Sequence, residues 1–194
     1  MERIASLGSA SQKSHPSFEE VALPHLDAAY NLARWLTRSD TDAFDVVQEA
    51  CVRALTYFEG YRGENGKAWL LTIVRNTCYL WMERNRPAAA VAFSPDVESE
   101  VENTAIELGT AIPDPETLLR QDNASRLLDE LIAELPPPFR EVLVLRELED
   151  MSYREISAVL GVPMGTVMSR LARARGLLKD AWARWNTSGE THAV

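Results

Sequence analysis

Cysteine is scarce in this chain: Cys51 and Cys78 are the only two among 194 residues, too few for a disulfide framework and without metal-ligand spacing. The three histidines, His15, His25 and His192, are scattered. No apolar run approaches the roughly 18 residues that a membrane span needs, and no apolar leader core follows Met1-Glu2-Arg3. A soluble, unsecreted chain in a reducing cytoplasm is therefore expected. A Gly-rich phosphate loop and paired catalytic carboxylates are also missing, and both cysteines fall among apolar helical positions. That argues against an enzyme or redox protein, so no catalytic residue, metal or cofactor is expected. What is present is 46% hydrophobic and 25% charged residues, enough for one sizeable domain or two small ones. Collagen-like, low-complexity and wholly disordered readings are excluded.

The net charge of -9 looks hostile to nucleic acid until it is divided along the chain. Residues 1–86 carry 10 basic and 11 acidic groups, and residues 119–184 carry 10 of each. Residues 87–118 carry seven carboxylates and neither lysine nor arginine. Within the last block, Arg170, Arg173, Arg175, Lys179 and Arg184 face Asp180 alone between residues 163 and 184. A basic terminal helix thus survives inside an acidic protein.

Periodicity divides the chain further. Residues 1–16 lack it and read as a flexible arm. From Phe18 to Leu36 apolar residues recur at helical spacing, with Pro24 kinking or restarting the helix. A second helix is expected to be capped by Asp40 or Thr41, with Ala43, Val46, Val47, Ala50, Cys51, Ala54, Leu55 and Phe58 as its buried stripe. Gly60 and residues 61–66 break the pattern before a third helix over about 67–86. Pro87 ends that helix, and residues 87–118 read as an acidic linker. Helical periodicity resumes over 119–185, and 186–194 form a tail. No segment alternates with period two, so the fold expected is all-α: two small helical domains, 17–86 and 119–185, joined by an acidic flexible linker.

The clearest local signal is Ser152-Tyr153-Arg154-Glu155, where Ser152 can cap a helix and Glu155 can complete a capping box. Gly161 supplies a left-handed C-terminal turn, and a longer helix starts near Gly165. Two helices joined by a tight turn containing Gly make a helix-turn-helix. Val167, Leu171, Ala174 and Leu178 would lie on its buried side, leaving Thr166, Ser169, Arg170 and Arg173 to a major groove and its phosphates. Helical hairpins that bind nothing share the capping box and the turn; the arginine cluster is what favours DNA.

At these residues the chain resembles a family. Leu135-Pro136-Pro137-Pro138-Phe139-Arg140-Glu141-Val142, Ser152-Tyr153-Arg154-Glu155-Ile156, and Gly161 through Arg175 resemble region four of bacterial sigma-70-family factors of the extracytoplasmic-function (ECF) type. The resemblance implies minus-thirty-five recognition by Thr166, Met168, Ser169, Arg170, Arg173 and Arg175, and a grip on the polymerase beta flap. Met168 departs from the family, where lysine is common, and a phosphate contact or base preference changes with it. In the front half, Asp45-Val46-Val47-Gln48-Glu49-Ala50 resembles region two, which implies docking of Asp45, Gln48, Glu49 and Arg53 on the beta-prime clamp helices. The segment from Tyr61 to Leu70, followed by Ile73-Val74-Arg75-Asn76, resembles the promoter-melting segment.

Melting requires cations for the backbone and a surface for an unstacked base. The minus-ten candidates are Tyr61, Arg62, Asn65, Lys67, Arg75, Asn76 and Tyr79, with Trp69 assigned to packing. The family often has an acidic residue near Leu80, so the end of that helix departs from it as well. The resemblance implies a sigma factor that binds core RNA polymerase and promoter DNA, is held in check by an anti-sigma factor, and needs no cofactor. The alternative is a stand-alone helix-turn-helix regulator, which would use residues 152–175 and leave the front half an ordinary helical core.

Overall fold

A computed structural model describes residues 16–63, 65–85 and 126–189. The arm up to residue 15, the acidic linker 87–118, Arg86 and the residues beyond 189 lie outside it. Among the described residues every regular element is helical.

In the N-terminal unit, Ser17 opens α1 (Phe18–Ala22) with a reciprocal capping box to Glu20. Pro24 restarts the chain, as expected, inside a 3-10 turn over Leu23–His25 that leads into α2 (Leu26–Thr37). Arg38, in the left-handed region at φ 63°, turns the backbone between α2 and α3 (Asp40–Tyr57). The cap of α3 is Ser39, one residue before the expected Asp40 or Thr41: its backbone is extended, and its hydroxyl accepts from the Asp42 amide at 3.3 Å. Asp40 and Asp42 instead fall in the first turn, where their charge suits the positive helix end. After a 3-10 turn over Phe58–Gly60 the chain enters α4 (Gly66–Asn85).

Helices α2, α3 and α4 pack on one another around Leu32, Leu36, Val46, Ala50, Leu70, Leu71 and Val74. Ala29, Ala33, Ala43, Ala50 and Ala54, all fully buried, let the helices approach closely. Leu55 was expected in this stripe but is 59% exposed, because it lies on the side of α3 opposite Val46 and Ala50.

The C-terminal unit begins with helical residues 126–134 (α5) and continues through α6 (Pro137–Leu143), which ends in a π turn over Val144–Leu148. Next come α7 (Tyr153–Leu160) and α8 (Met164–Gly189), which runs into the stretch expected to be a tail. Arg140 is the polar anchor of this unit. Its guanidinium, buried with the rest of the residue, donates to the carbonyls of Ile132 (3.3 Å), Ala133 and Leu135 (2.6 Å) around the end of α5, and to that of Trp35 on α2 (2.9 Å). The two units are not held apart: α6 packs on α2 and α7 on α4, and their buried residues form one continuous core.

Candidate nucleic-acid interface

The helix-turn-helix forms as its local signals require. Ser152 accepts from the Glu155 amide at 3.3 Å, while the Glu155 carboxylate accepts from the Ser152 amide at 2.8 Å and from its hydroxyl at 2.7 Å. These bonds hold the Glu155 carboxyl below its ordinary range, the Ser152 hydroxyl first and its amide next. Gly161, at φ 66°, ends α7 in the left-handed region. Ser157 then ties the turn by donating to the Val162 carbonyl at 2.6 Å. On α8, Val167, Leu171 and Ala174 are buried and fix the rotation of the helix.

That rotation leaves Met168, Ser169, Arg173 and Arg175 exposed and Thr166 half-buried. Arg175 pairs across the surface with Glu147 at 2.6 Å, an exposed contact of small energetic weight. Arg170 departs from expectation. Its side chain is only 16% exposed and turns inward, 3.8 Å from the fully buried Glu141.

The minus-ten candidates divide into two groups. Tyr61 stacks on Phe58 with ring centroids 5.7 Å apart and tilts against Trp69 at 5.0 Å, so Trp69 packs as expected. Beside this aromatic cluster a cleft of about 250 Å³ is lined by Pro16, Phe58, Glu59, Tyr61 and Arg62. Arg62 and Asn76 are exposed, and Arg62 donates to the Glu59 carbonyl at 3.0 Å.

The other four candidates are engaged by the C-terminal unit. Asn65 has a local task first: its side-chain oxygen accepts from the Ala68 amide at 3.0 Å, capping α4. Its amide nitrogen then donates to Glu155 at 2.7 Å. Lys67 lies 3.0 Å from a Glu149 carboxylate oxygen and donates to the Glu149 carbonyl at 2.8 Å. Arg75 grips Glu141 with two nitrogens, at 2.7 and 3.1 Å, and Tyr79 donates to the same carboxylate at 3.0 Å. Burial opposes the charge on Arg75, yet its hydrogen bond to Glu141 and the negative charge there outweigh it and raise its pKa. Burial first, and then the Glu141 charge, pushes the Tyr79 hydroxyl well above its ordinary value. Of the three carboxylates that receive these groups, Glu155 was expected only to complete the capping box with Ser152, and Glu141 and Glu149 were expected in no such contact.

A third surface lies on α3. Asp45 and Gln48 are exposed as expected, while Glu49 and Arg53 are half-buried and pair with each other, with Arg53 Nε 3.2 Å from the carboxylate. Arg84 also approaches Glu49, at 3.8 Å. Phe44, and Leu55 against its expected place in the buried stripe, join Val52 as exposed large apolar residues along this helix. Phe44, Gln48, Val52 and Leu55 follow at i, i+4, i+8 and i+11, the spacing of one helical face. Burial raises the thiols of Cys51 and Cys78, the latter to about 12.

A helix-turn-helix with exposed Arg173 and Arg175 follows an all-helical unit whose cationic and aromatic groups cluster on α4 and the loop before it, the build of a helical transcription factor. Comparison with known proteins makes the class specific. Sigma-70 region 2 matches residues 22–87, and Sigma-70, region 4 matches residues 125–178. The chain is 38% identical over 141 residues to the ECF RNA polymerase sigma-E factor of Escherichia coli K12, covering 69% of this chain and 70% of that protein.

Likewise, it is 33% identical over 173 residues to the ECF RNA polymerase sigma factor SigE of Mycolicibacterium smegmatis. That alignment takes in 89% of this chain but only 64% of the longer relative. The fold matches that of the sigma factor RpoE solved in complex with the anti-sigma factor NepR from Bartonella quintana, with a TM-score of 0.60 at 24% identity over 83% of this chain and 93% of that one. The chain belongs to the ECF sigma factors of the sigma-70 family, proteins that direct RNA polymerase to promoters. A stand-alone helix-turn-helix regulator is not favoured, because it leaves the region-two match unexplained. No helix among the described residues is long and apolar enough to cross a membrane.

Proposed function

We propose that this chain binds core RNA polymerase in the cytoplasm and directs initiation at its own promoters without catalysing a reaction itself. One observation carries the reading: both DNA-reading regions of the family occur in one chain, in order, each on a folded helical unit. The α3 face of Phe44, Asp45, Gln48, Val52 and Leu55 suits docking on the beta-prime clamp helices, because it joins a helical apolar stripe to polar groups that set orientation. Arg173, with Ser169 and Met168, takes the minus-thirty-five major groove, and Arg175 and Thr166 flank it. Tyr61 and Arg62, beside their cleft, receive an unstacked minus-ten base, while Asn65, Lys67, Arg75, Asn76 and Tyr79 meet the strand around it. The beta flap and an anti-sigma factor complete the set of partners.

Run-off transcription from a pool of promoter fragments tests this, with core polymerase alone and the chain alone as controls. Selective transcripts that need both components are expected. Tight promoter binding by the chain alone, without transcription, would return the stand-alone regulator. Arg173→Ala should lower minus-thirty-five-dependent initiation by roughly ten- to a hundredfold, as loss of one base or phosphate contact does, and leave core-polymerase affinity intact.

A further inference from the structure

A recognition helix meets base edges with its first turns, and in α8 the polar groups of those turns are already engaged or turned away. Ser169 donates its hydroxyl proton to the Thr166 carbonyl at 3.1 Å, and Thr166 itself is half-buried. Arg170 turns inward to Glu141 within the same unit, and Arg175, further along, pairs with Glu147. Two large exposed side chains remain in the first two turns, and neither is polar: Met164 is 49% exposed and Met168 44%. At i and i+4 they lie one above the other on a single face of the helix, with about 6 Å of rise between them. Buried Val167 and Leu171 set the rotation that turns this face outward. Methionine is unbranched and polarisable, and it moulds to an irregular apolar surface. In the major groove the apolar group on a base edge is the thymine 5-methyl.

We propose that Met168, with Met164 one turn before it, reads thymine methyl groups in the minus-thirty-five element, so that part of the promoter choice of this chain is apolar. This rests on the minus-thirty-five reading proposed above. Base pairs follow one another at about 3.4 Å, so a rise of about 6 Å brings the two methionines to thymines about two steps apart. Arg173 lies about 140° round the helix from Met168 and faces the other wall of the groove, where it serves a phosphate or a guanine. Met168 neutralises no phosphate, so its contact reports base identity and adds nothing to the salt dependence of binding.

The full chain assembled with core RNA polymerase supplies the test. A minus-thirty-five element selected from random sequence is rebuilt with deoxyuridine in place of each thymidine in turn, which removes the methyl and keeps the hydrogen-bonding edge. Fluorescence anisotropy measures holoenzyme binding to these duplexes across a salt series, and run-off transcription is read from the same fragments. Loss of one methyl should weaken wild-type binding about three- to fivefold, the value of one buried methyl group, at one or two neighbouring positions. Met168→Ala should bind the thymidine and deoxyuridine duplexes equally at the position that Met168 reads. Met168→Leu, apolar and of similar volume, should restore most of the difference. Met168→Lys should lose the discrimination and steepen the salt dependence by about one phosphate.

The inference is overturned if deoxyuridine at every thymine of the element leaves wild-type binding unchanged, or if Met168→Ala keeps the wild-type preference for thymidine. Run-off separates this level from the one beneath it. Promoter-selective transcripts that are indifferent to the methyls refute methyl reading alone. Absence of transcripts with core polymerase refutes the sigma reading, and the inference falls with it.

Discussion

Arg140→Met should destabilise the C-terminal unit more than any exposed substitution. The methionine fills much of the volume of the arginine stem, so apolar packing changes little. What disappears is a buried guanidinium that donates to four carbonyls, those of Ile132, Ala133 and Leu135 at the end of α5 and of Trp35 on α2. Each charge-assisted bond contributes about 1.5–3 kcal/mol net, and a carbonyl left buried without a donor costs about 1–3 kcal/mol.

These terms overlap, since relaxation and water rescue some acceptors, so the sum is not the prediction. Breaking a buried hydrogen-bond network lies in the large tail of single substitutions, about 4 kcal/mol. For a urea dependence of about 2 kcal/mol per molar, the unfolding midpoint should fall by about 2 M. Urea titration followed by circular dichroism measures this, with amide exchange to show that residues 126–148 lose protection first. Arg140→Lys keeps the charge but has three donors in place of five, and should recover part of the loss. A midpoint shift under about 0.5 M for Arg140→Met, corresponding to about 1 kcal/mol, would refute the anchoring role.

Gly66→Ala should destabilise the N-terminal unit, because the added Cβ would sit 2.9 Å from both the Val21 side chain and the Val21 backbone oxygen. The helix-propensity gain of at most about 1 kcal/mol is outweighed by an overpacking cost of about 1–3 kcal/mol, and thermal unfolding reads the difference. Ser152→Ala should cost about 1 kcal/mol by removing the cap of α7. Because the folded pKa of Glu155 lies below its ordinary value of 4.5, its contribution is present above that value and is lost as pH falls through the folded pKa. Amide exchange in α7 should therefore quicken on acidification, and Ser152→Ala should flatten that dependence by removing its main cause.

What was legible in the sequence had short-range causes. The Ser152 and Glu155 capping box, the left-handed Gly161 and the restart at Pro24 depend on groups within a few residues, and all three stand in the fold. The α3 cap was misplaced because four oxygen-bearing side chains, Ser39 to Asp42, compete there; backbone geometry at Ser39, extended at φ -151°, decides which can reach the Asp42 amide. Leu55 was misassigned because a broad apolar pattern on α3 includes residues on two sides of the helix, and only the positions of α2 and α4 show which side is core.

The pairing of charges was illegible for a stronger reason. Glu155 announces its bond to Ser152 by a spacing of three, but nothing in the sequence announces Asn65, ninety positions away. Glu141 and Arg75 are likewise separated by 66 positions. Residues 119–184 carry equal numbers of basic and acidic groups, with basic ones gathered on the terminal helix. Folding separates that balance in space: Arg173 and Arg175 remain exposed on α8, while Glu141, Glu149 and Glu155 meet α4 and the loop before it. A block with no net charge thereby presents an anionic face to the cationic groups of the other unit, and that polarity arises from the arrangement of helices rather than from composition.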